Sequence, residues 1–349
     1  MTDTHTVQLW YTRCGSATAS ALAIRKNWLQ EEFAKPGTEL LSLRDSDSLE
    51  TRNSHFHHGQ SGMFREGGNI PPIWAKGSGQ DTVVVGITWL DEYQGILVRA
   101  DSDIHQLADL KGKRLGIPLH RNAVIDFQRG AAQHGFTTAL AQAGLTPEDA
   151  HFVDVESPSY DQQDGPRAAP SERRNATLDA LENGEIDALF IRYARGYRVA
   201  QDSRFRQLLN IFDLTDPLQR VNNGTPRPIT VDRAFLDKHP EVVARYLAVL
   251  LRTAKWAENH RNEVAELLLP ESGGETLDDV FAAHGDDVHL SFTPKLTQDY
   301  IDGLETQKNF LRDWGYLKQD FDVKDWVVHE PLAQAYKLID AERTTEAAA

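Results

Sequence analysis

The chain carries one cysteine, Cys14, and it falls where a short apolar run gives way to small residues, in LWYTRCGSATASALAI. A thiolate is a strong nucleophile, and a nearby cation or the start of a helix lowers the thiol pKa enough to make it reactive near neutral pH. Further along, SHFHHGQSGMFREGGNIPPIW supplies His55, Arg65 and the pair Gly67-Gly68. Arginine presents a planar fork of donors to a compact anion, and glycine lets backbone N–H groups come close. Histidine can move a proton at physiological pH. These residue types together describe a cysteine site acting on an anion. Cys14 and His55 are its catalytic candidates, and Arg65, Gly67 and Gly68 its anion-binding candidates. His55, His57 and His58 have no Asp, Glu or Cys beside them at ligand spacing, so no metal and no cofactor is expected.

The elements that must position these residues read as an α/β chain. Short apolar runs alternate with amphipathic segments over 349 residues with 40% hydrophobic content, enough for two lobes. Strands are predicted at 7–11, 38–42, 82–89, 95–99, 114–117, 151–155, 188–191 and 208–212, and residues 227–231 begin a return segment. Helices are predicted at 17–33, 123–143, 176–182, 232–238 and 240–259. The last carries Val242, Val243, Tyr246, Leu247, Leu250 and Leu251 at helical spacing, with Trp256 extending the stripe. Residues 45–65 read as a polar loop with at most one helical turn. Residues 157–170 are rich in Ser, Asp, Gln, Gly and Pro and predict a mobile loop.

A net charge of -15 argues against nucleic acid as a partner. A lone thiol fits a reducing compartment. The first residues show neither the basic nor the apolar region of a signal peptide, and no apolar stretch is long enough to span a membrane. The expectation is a cytoplasmic protein, monomeric, with a small-molecule ligand and no membrane partner. His120-Arg121-Asn122 follows a predicted strand, where an anion contact and a capping turn are equally good readings. Tyr160, Tyr193, Tyr197 and Trp89 could form aromatic walls or pack in a core.

Three stretches resemble the type II periplasmic solute-binding proteins of the nitrate, sulfonate and taurine group: DSDIHQLADLKGKRLGIP, LDALENGEIDALF and ITVDRAFLDKHPEVVARYLAVLLRTAKWAENHRNEV. The resemblance spans residues 7–315. It implies a two-lobed fold, each lobe a mixed sheet flanked by helices, with a ligand cleft between them. Residues 1–98 with 226–349 would form lobe one, and 99–225 lobe two.

Within that superfamily the N-terminal third is similar to the 2'-hydroxybiphenyl-2-sulfinate desulfinase family of dibenzothiophene desulfurisation. That family has a cysteine after strand one and a stretch H-F-x3-Q-x4-R-x-G-G-x-I-P-P. Cys14 fills the first position, and His55, Phe56, Gln60, Arg65, Gly67, Gly68, Ile70, Pro71 and Pro72 fill the second at the same spacing. The resemblance implies Cys14 as nucleophile, His55 as its partner and Arg65 with Gly68 as the sulfinate cradle, with Phe56, Gln60 and Gly67 lining the substrate. The implied activity is cofactor-free cleavage of a carbon–sulfur bond in an aromatic sulfinate, releasing sulfite. The alternative is a transporter-type solute-binding protein for a sulfonate, a nitrate-like anion or an aromatic acid. The chain departs from the family in having Gly15-Ser16-Ala17 after the cysteine in place of a proline-containing turn. His57 and His58 are additional, and residues 157–170 have no matching pocket segment.

Overall fold

The structure is a computed structural model that describes residues 6–12, 17–34, 37–158 and 175–348. Cys14, Tyr160 and most of the predicted loop at 157–170 lie outside the described residues.

The chain starts with β1 (Val7–Thr12), α1 (Ala19–Arg25), α2 (Trp28–Phe33), β2 (Thr38–Ser42), α3 (Leu49–His57), β3 (Met63–Glu66), α4 (Ile70–Gly77) and β4 (Thr82–Thr88). Next come β5 (Gln94–Arg99), β6 (Arg114–Leu119), α5 (Phe127–Gln142), β7 (His151–Glu156), α6 (Ala176–Glu182), β8 (Ala188–Arg192), α7 (Tyr193–Ala200) and β9 (Phe205–Asn210). The remainder is β10 (Arg227–Asp232), α8 (Arg233–Lys238), α9 (Pro240–Ala257), α10 (Arg261–Ser272), α11 (Leu277–His284), α12 (Gln298–Asp313), α13 (Val323–Trp326) and α14 (Glu330–Ala348).

These elements form two compact units. The first comprises Met1–Leu90, Pro226–Leu268 and Asp287–Ala349, and the second Asp91–Thr225 with Leu269–Asp286. Each holds a five-stranded mixed sheet. In the first the order is β2-β1-β3-β10-β4, with β1 parallel to β2 and β3, and β10 antiparallel to β3 and β4. In the second it is β7-β6-β8-β5-β9, with β6 parallel to β7 and β8, and β5 antiparallel to β8 and β9. The mixed two-sheet architecture follows from the alternation of apolar runs, because a strand covered on both faces needs no polar alternation. β4, TVVVGIT, is buried at every position. On α9, Val242, Val243, Tyr246, Leu247, Leu250 and Leu251 are all buried, as their helical spacing requires. α9 packs against α1, α2 and α14 in the first unit. Trp256 meets Trp28 of α2 edge-on at 5.2 Å. Among the described residues no helix is long and apolar enough to cross a membrane.

Local details depart from the sequence expectations. The single helix expected at 17–33 is two helices: Asn27 adopts φ 65°, and α2 restarts from it. The region expected to be a loop at 45–65 holds the nine-residue helix α3 and most of strand β3. α3 was hidden by composition, since it has almost no apolar face for periodicity to detect; among its buried side chains only Phe56 is apolar. The helix expected at 123–143 starts at Phe127, where Asp126 caps it. β9 ends at Asn210 and passes into a 3-10 turn. β5, expected at the end of lobe one, pairs with β8 and β9 and so belongs to the second sheet. Leu269–Asp286 also joins the second unit. These boundaries depend on strand partners far away in sequence.

Asn27 tolerates a left-handed backbone that most side chains resist by about 1 to 2 kcal/mol. Asn27→Ala should therefore lower the urea unfolding free energy by about 1 kcal/mol, while Asn27→Gly should not. Equilibrium urea unfolding by circular dichroism reads the difference.

Candidate functional site

Around β3, the central strand of the first unit, the structure brings together Arg65, His55, Gly67 and Gly68 of the residues the sequence singled out, while Cys14 lies outside the described residues. β1 and β3 run parallel with Thr12 opposite Arg65, and β10 sets Thr230 opposite Arg65 on the other side. Side chains alternate along a strand. Arg65 and Glu66, adjacent on β3, therefore leave the sheet on opposite faces.

On one face Arg65 reaches α3. Its Nε donates to the His55 carbonyl at 2.9 Å, and its Nη1 donates to the Gly68 carbonyl at 2.7 Å. The side chain is only 1% exposed. That excludes the surface ion-pair role that an isolated arginine usually has, and it makes the guanidinium a buried brace between the end of α3 and the turn after β3. Hydrogen bonds from a charged donor contribute about 1.5–3 kcal/mol each, so the plane of the guanidinium is firmly set. Gly67 has φ 154° in that turn, a conformation open essentially to glycine alone. Asn69 follows, fully buried, and its side-chain amide donates to the Pro226 carbonyl at 2.9 Å. α4 begins with Ile70-Pro71-Pro72, where proline costs the helix no hydrogen bond.

His55 sits in the last turn of α3, with its ring Nδ1 hydrogen-bonded to the hydroxyl of Thr12 at the end of β1. The histidine is thus fixed against the last described residue before Cys14. Phe56 is buried in the core at 3% exposure, with its ring edge-on to that of His55 at 4.8 Å. Gln60 lies beyond the helix end and donates to the Ser61 carbonyl at 3.3 Å. Phe56 therefore serves packing here, and the described bond of Gln60 is local.

The two additional histidines separate. His57 faces Glu50 two helical turns back at 3.3 Å. His58 ends α3 with φ 57° and is buried, its Nε2 at 2.9 Å from the Thr230 hydroxyl. Burial, reinforced by the charge of Arg65, lowers its pKa from 6.5 to about 3. It is neutral at physiological pH and packs behind the arginine as a hydrogen-bonding spacer.

On the opposite face Glu66 reaches α1. Its carboxylate accepts from the Ser20 N–H at 2.7 Å, the Ala19 N–H at 3.3 Å and the Thr88 hydroxyl at 3.0 Å. Burial raises its carboxyl pKa above the ordinary value, with the Ser20, Thr88 and Ala19 donors opposing. Arg227, fully buried, donates through Nη1 to the Ala17 carbonyl. α1 begins at Ala19 with Thr18 as its cap, later than the start at residue 17 expected from sequence. Sequence reading missed Thr12, Glu66 and Arg227. Arg227 had no local signal, because β10 places it beside a segment more than a hundred residues upstream.

In the second unit, His120 Nδ1 lies 2.8 Å from Asp126, which also accepts from the His120 N–H at 2.7 Å and caps α5. This supports the capping reading of that turn. Arg121 pairs with Glu156. Tyr197 packs on Tyr93 at 5.8 Å, whereas Tyr193 holds φ 63° at the start of α7. Trp89, in the first unit, packs on Tyr300 at 5.4 Å.

The chain resembles known proteins along most of its length. The family described as NMT1/THI5 like matches residues 72–163. The 2'-hydroxybiphenyl-2-sulfinate desulfinase of Rhodococcus erythropolis is 25% identical over 315 residues, 80% of this chain and 82% of that one. The crystal structure of a DSZB mutant in complex with biphenyl-2-sulfinic acid superposes with a TM-score of 0.73 at 23% identity, covering 95% of this chain and 99% of that chain. The periplasmic aliphatic sulphonate binding protein SsuA from Escherichia coli gives 0.65 at 16% identity, covering 93% and 92%. The fold is accordingly periplasmic-binding-protein-like, as the sequence reading expected.

His58 gives a pH test of this geometry. Its folded pKa lies below its unfolded value, so its contribution to stability is present above about pH 6.5 and is lost as pH falls towards about 3. His58→Asn keeps a residue suited to the left-handed end of α3 and removes the titration. The urea midpoint of the parent chain should fall more steeply than that of the variant between about pH 7 and pH 4.

Proposed function

We propose that the protein is a desulfinase-like hydrolase that cleaves the carbon–sulfur bond of an aromatic sulfinate and releases sulfite without a cofactor. The observation that carries this reading is the Arg65 brace. Two residues of the family motif, His55 and Gly68, are held by one buried guanidinium, and His55 is bonded to Thr12, two positions before the only thiol. The similarity to the Rhodococcus desulfinase over four fifths of the chain supports it.

The net reaction adds water across the bond: the sulfinate and water give the arene and hydrogen sulfite. In one route the Cys14 thiolate attacks sulfur, the carbon leaves with a proton, and water splits the resulting sulfur–sulfur adduct to regenerate the thiol. In the other, the Cys14 thiol protonates the ring carbon, sulfur dioxide departs, and water converts it to hydrogen sulfite while the thiol regains its proton. In both, Arg65 and the glycine turn hold the anion, and His55 sets the thiol's charge state or relays the proton. The reaction would run in a reducing, cytoplasmic setting, where a lone thiol survives.

The second reading is an anion-binding protein, favoured by the similarity to the aliphatic sulphonate binding protein. Incubating the purified protein with a panel of aryl sulfinates, biphenyl-2-sulfinate among them, and measuring sulfite separates the two. Sulfite release is expected. Tight binding without sulfite from any member would leave the binding protein standing. Cys14→Ser should retain sulfinate binding by calorimetry and lose at least about 100-fold in turnover; a variant of full activity would remove the thiol from the mechanism.

A further inference from the structure

In the first unit α2 and α14 both pack on α9, and the three helices line a cavity of about 460 Å³. That volume falls within the roughly 300–1,000 Å³ of small-molecule sites. α2 supplies Trp28, Glu31 and Glu32, whose helical spacing puts them on one face. α9 supplies Val249, Arg252 and Trp256 along one of its own faces, and α14 supplies Glu342. None of these residues belongs to the sulfinate site proposed above.

The walls are of two kinds. The indoles of Trp28 and Trp256 meet edge-on, with centroids 5.2 Å apart and planes at 80°. The face of an indole is electron-rich and attracts a cation more strongly than any other side-chain ring. The chain already uses this property. The Lys26 ammonium stands 4.9 Å from the centroid of Trp256 and 5.5 Å from that of Trp28, anchored to Glu263 at 2.7 Å. Lys26 and Glu263 do not line the cavity, so this resident cation meets the indole pair from outside it. His260 stacks on Trp256 at 4.5 Å and occupies one of its faces, which makes Trp28 the better platform for a ligand.

The charges on the walls are unevenly matched. Arg252 donates from Nη1 to both oxygens of Glu342, at 2.7 and 3.0 Å, and from Nη2 to Glu32 at 2.9 Å. The other Glu32 oxygen accepts from Arg245 Nε at 2.8 Å. An anionic ligand would therefore find the one cation of the lining already committed to two carboxylates. Glu31 is exposed, and its carboxylate forms no ion pair among the described residues. It stands three residues after Trp28 on the same helix face, so an unmatched negative charge borders an indole.

We propose that this cavity binds a small organic cation, an ammonium group carried on an apolar body. The body lies against Trp28, Trp256 and Val249, and the charged head sits at the rim beside Glu31. Indole faces and an unmatched carboxylate both select positive charge, and the apolar wall selects a ligand larger than a bare metal ion. The site is independent of the desulfinase reading and stands whether or not the protein releases sulfite.

Two probes isolate the charge: phenethylammonium and 2-phenylethanol share one body and differ in their head group. Calorimetric titration of the purified protein at neutral pH should give saturable binding of phenethylammonium with a Kd of about 1 mM or below. The alcohol should bind at least about fivefold more weakly. Trp28→Leu should weaken phenethylammonium about fivefold or more, and Trp28→Phe, which restores a ring face, should fall between Leu and the parent. Glu31→Gln changes an exposed carboxylate and leaves the packing intact. It should weaken phenethylammonium about two- to fivefold and leave 2-phenylethanol unchanged. Circular dichroism and the urea midpoint check that each variant is folded, and Glu31→Gln decides the matter if Trp28→Leu is not. Equal affinity for the two probes, or no saturation by phenethylammonium, overturns the proposal. So does phenethylammonium binding that Glu31→Gln leaves at the parent value, since the cation then sits elsewhere.

Discussion

A buried guanidinium organises the first unit. Arg65 stands on a strand at the centre of the sheet and spends two donors on main-chain carbonyls, one in α3 and one in the turn leading to α4. A charge in that position is tolerated only when the surrounding carbonyls are oriented to receive it. The constraint therefore extends outward. α3 has to end where the His55 carbonyl meets Nε, and the turn has to bring the Gly68 carbonyl to Nη1. Gly67 must take a backbone conformation that a side chain would forbid. His58 has to remain neutral behind the arginine, which its burial ensures. Histidine position, glycine turn and buried guanidinium are one mechanical assembly.

The reverse face of the same strand is built on a second buried charge. Glu66 and Arg227 bind complementary ends of the peptide groups that begin α1, the carboxylate taking N–H groups and the guanidinium a carbonyl. Together with the Thr12–His55 bond, they bracket the residues around Cys14 from both sides. The helix start has correspondingly less to offer a thiolate electrostatically than the sequence suggested, since its first donors are already occupied.

Much of the architecture was legible in the chain. The apolar runs at 82–89 and 188–191 could only be covered strands, and the stripe from Val242 to Leu251 could only be a core helix. Elements with weak apolar patterning were not legible. α3 is polar on nearly every side, and its identity as a helix comes from the cap at Ser48 and from contacts to β3 through Arg65. Asn27 breaks what periodicity read as one helix, because helical spacing continues across a single left-handed residue. The domain boundary at Leu90 was misplaced because β5 looks the same in sequence whichever sheet it joins.

The sequence by itself determined the chemistry available: one thiol, a histidine, an arginine and paired glycines at a spacing shared with the desulfinases, on an α/β chain of two sheets. Side-chain type fixes what a group can donate, accept or attack, and spacing along a strand or helix fixes which near neighbours share a face. Only the tertiary structure decided that Arg65 is a buried brace, that Phe56 belongs to the core, that His57 and His58 point to different partners, and that Glu66 and Arg227 meet at the start of α1. Those outcomes depend on which strands lie side by side. β10 returns from far along the chain to lie between β3 and β4, and no local pattern in either segment encodes that meeting.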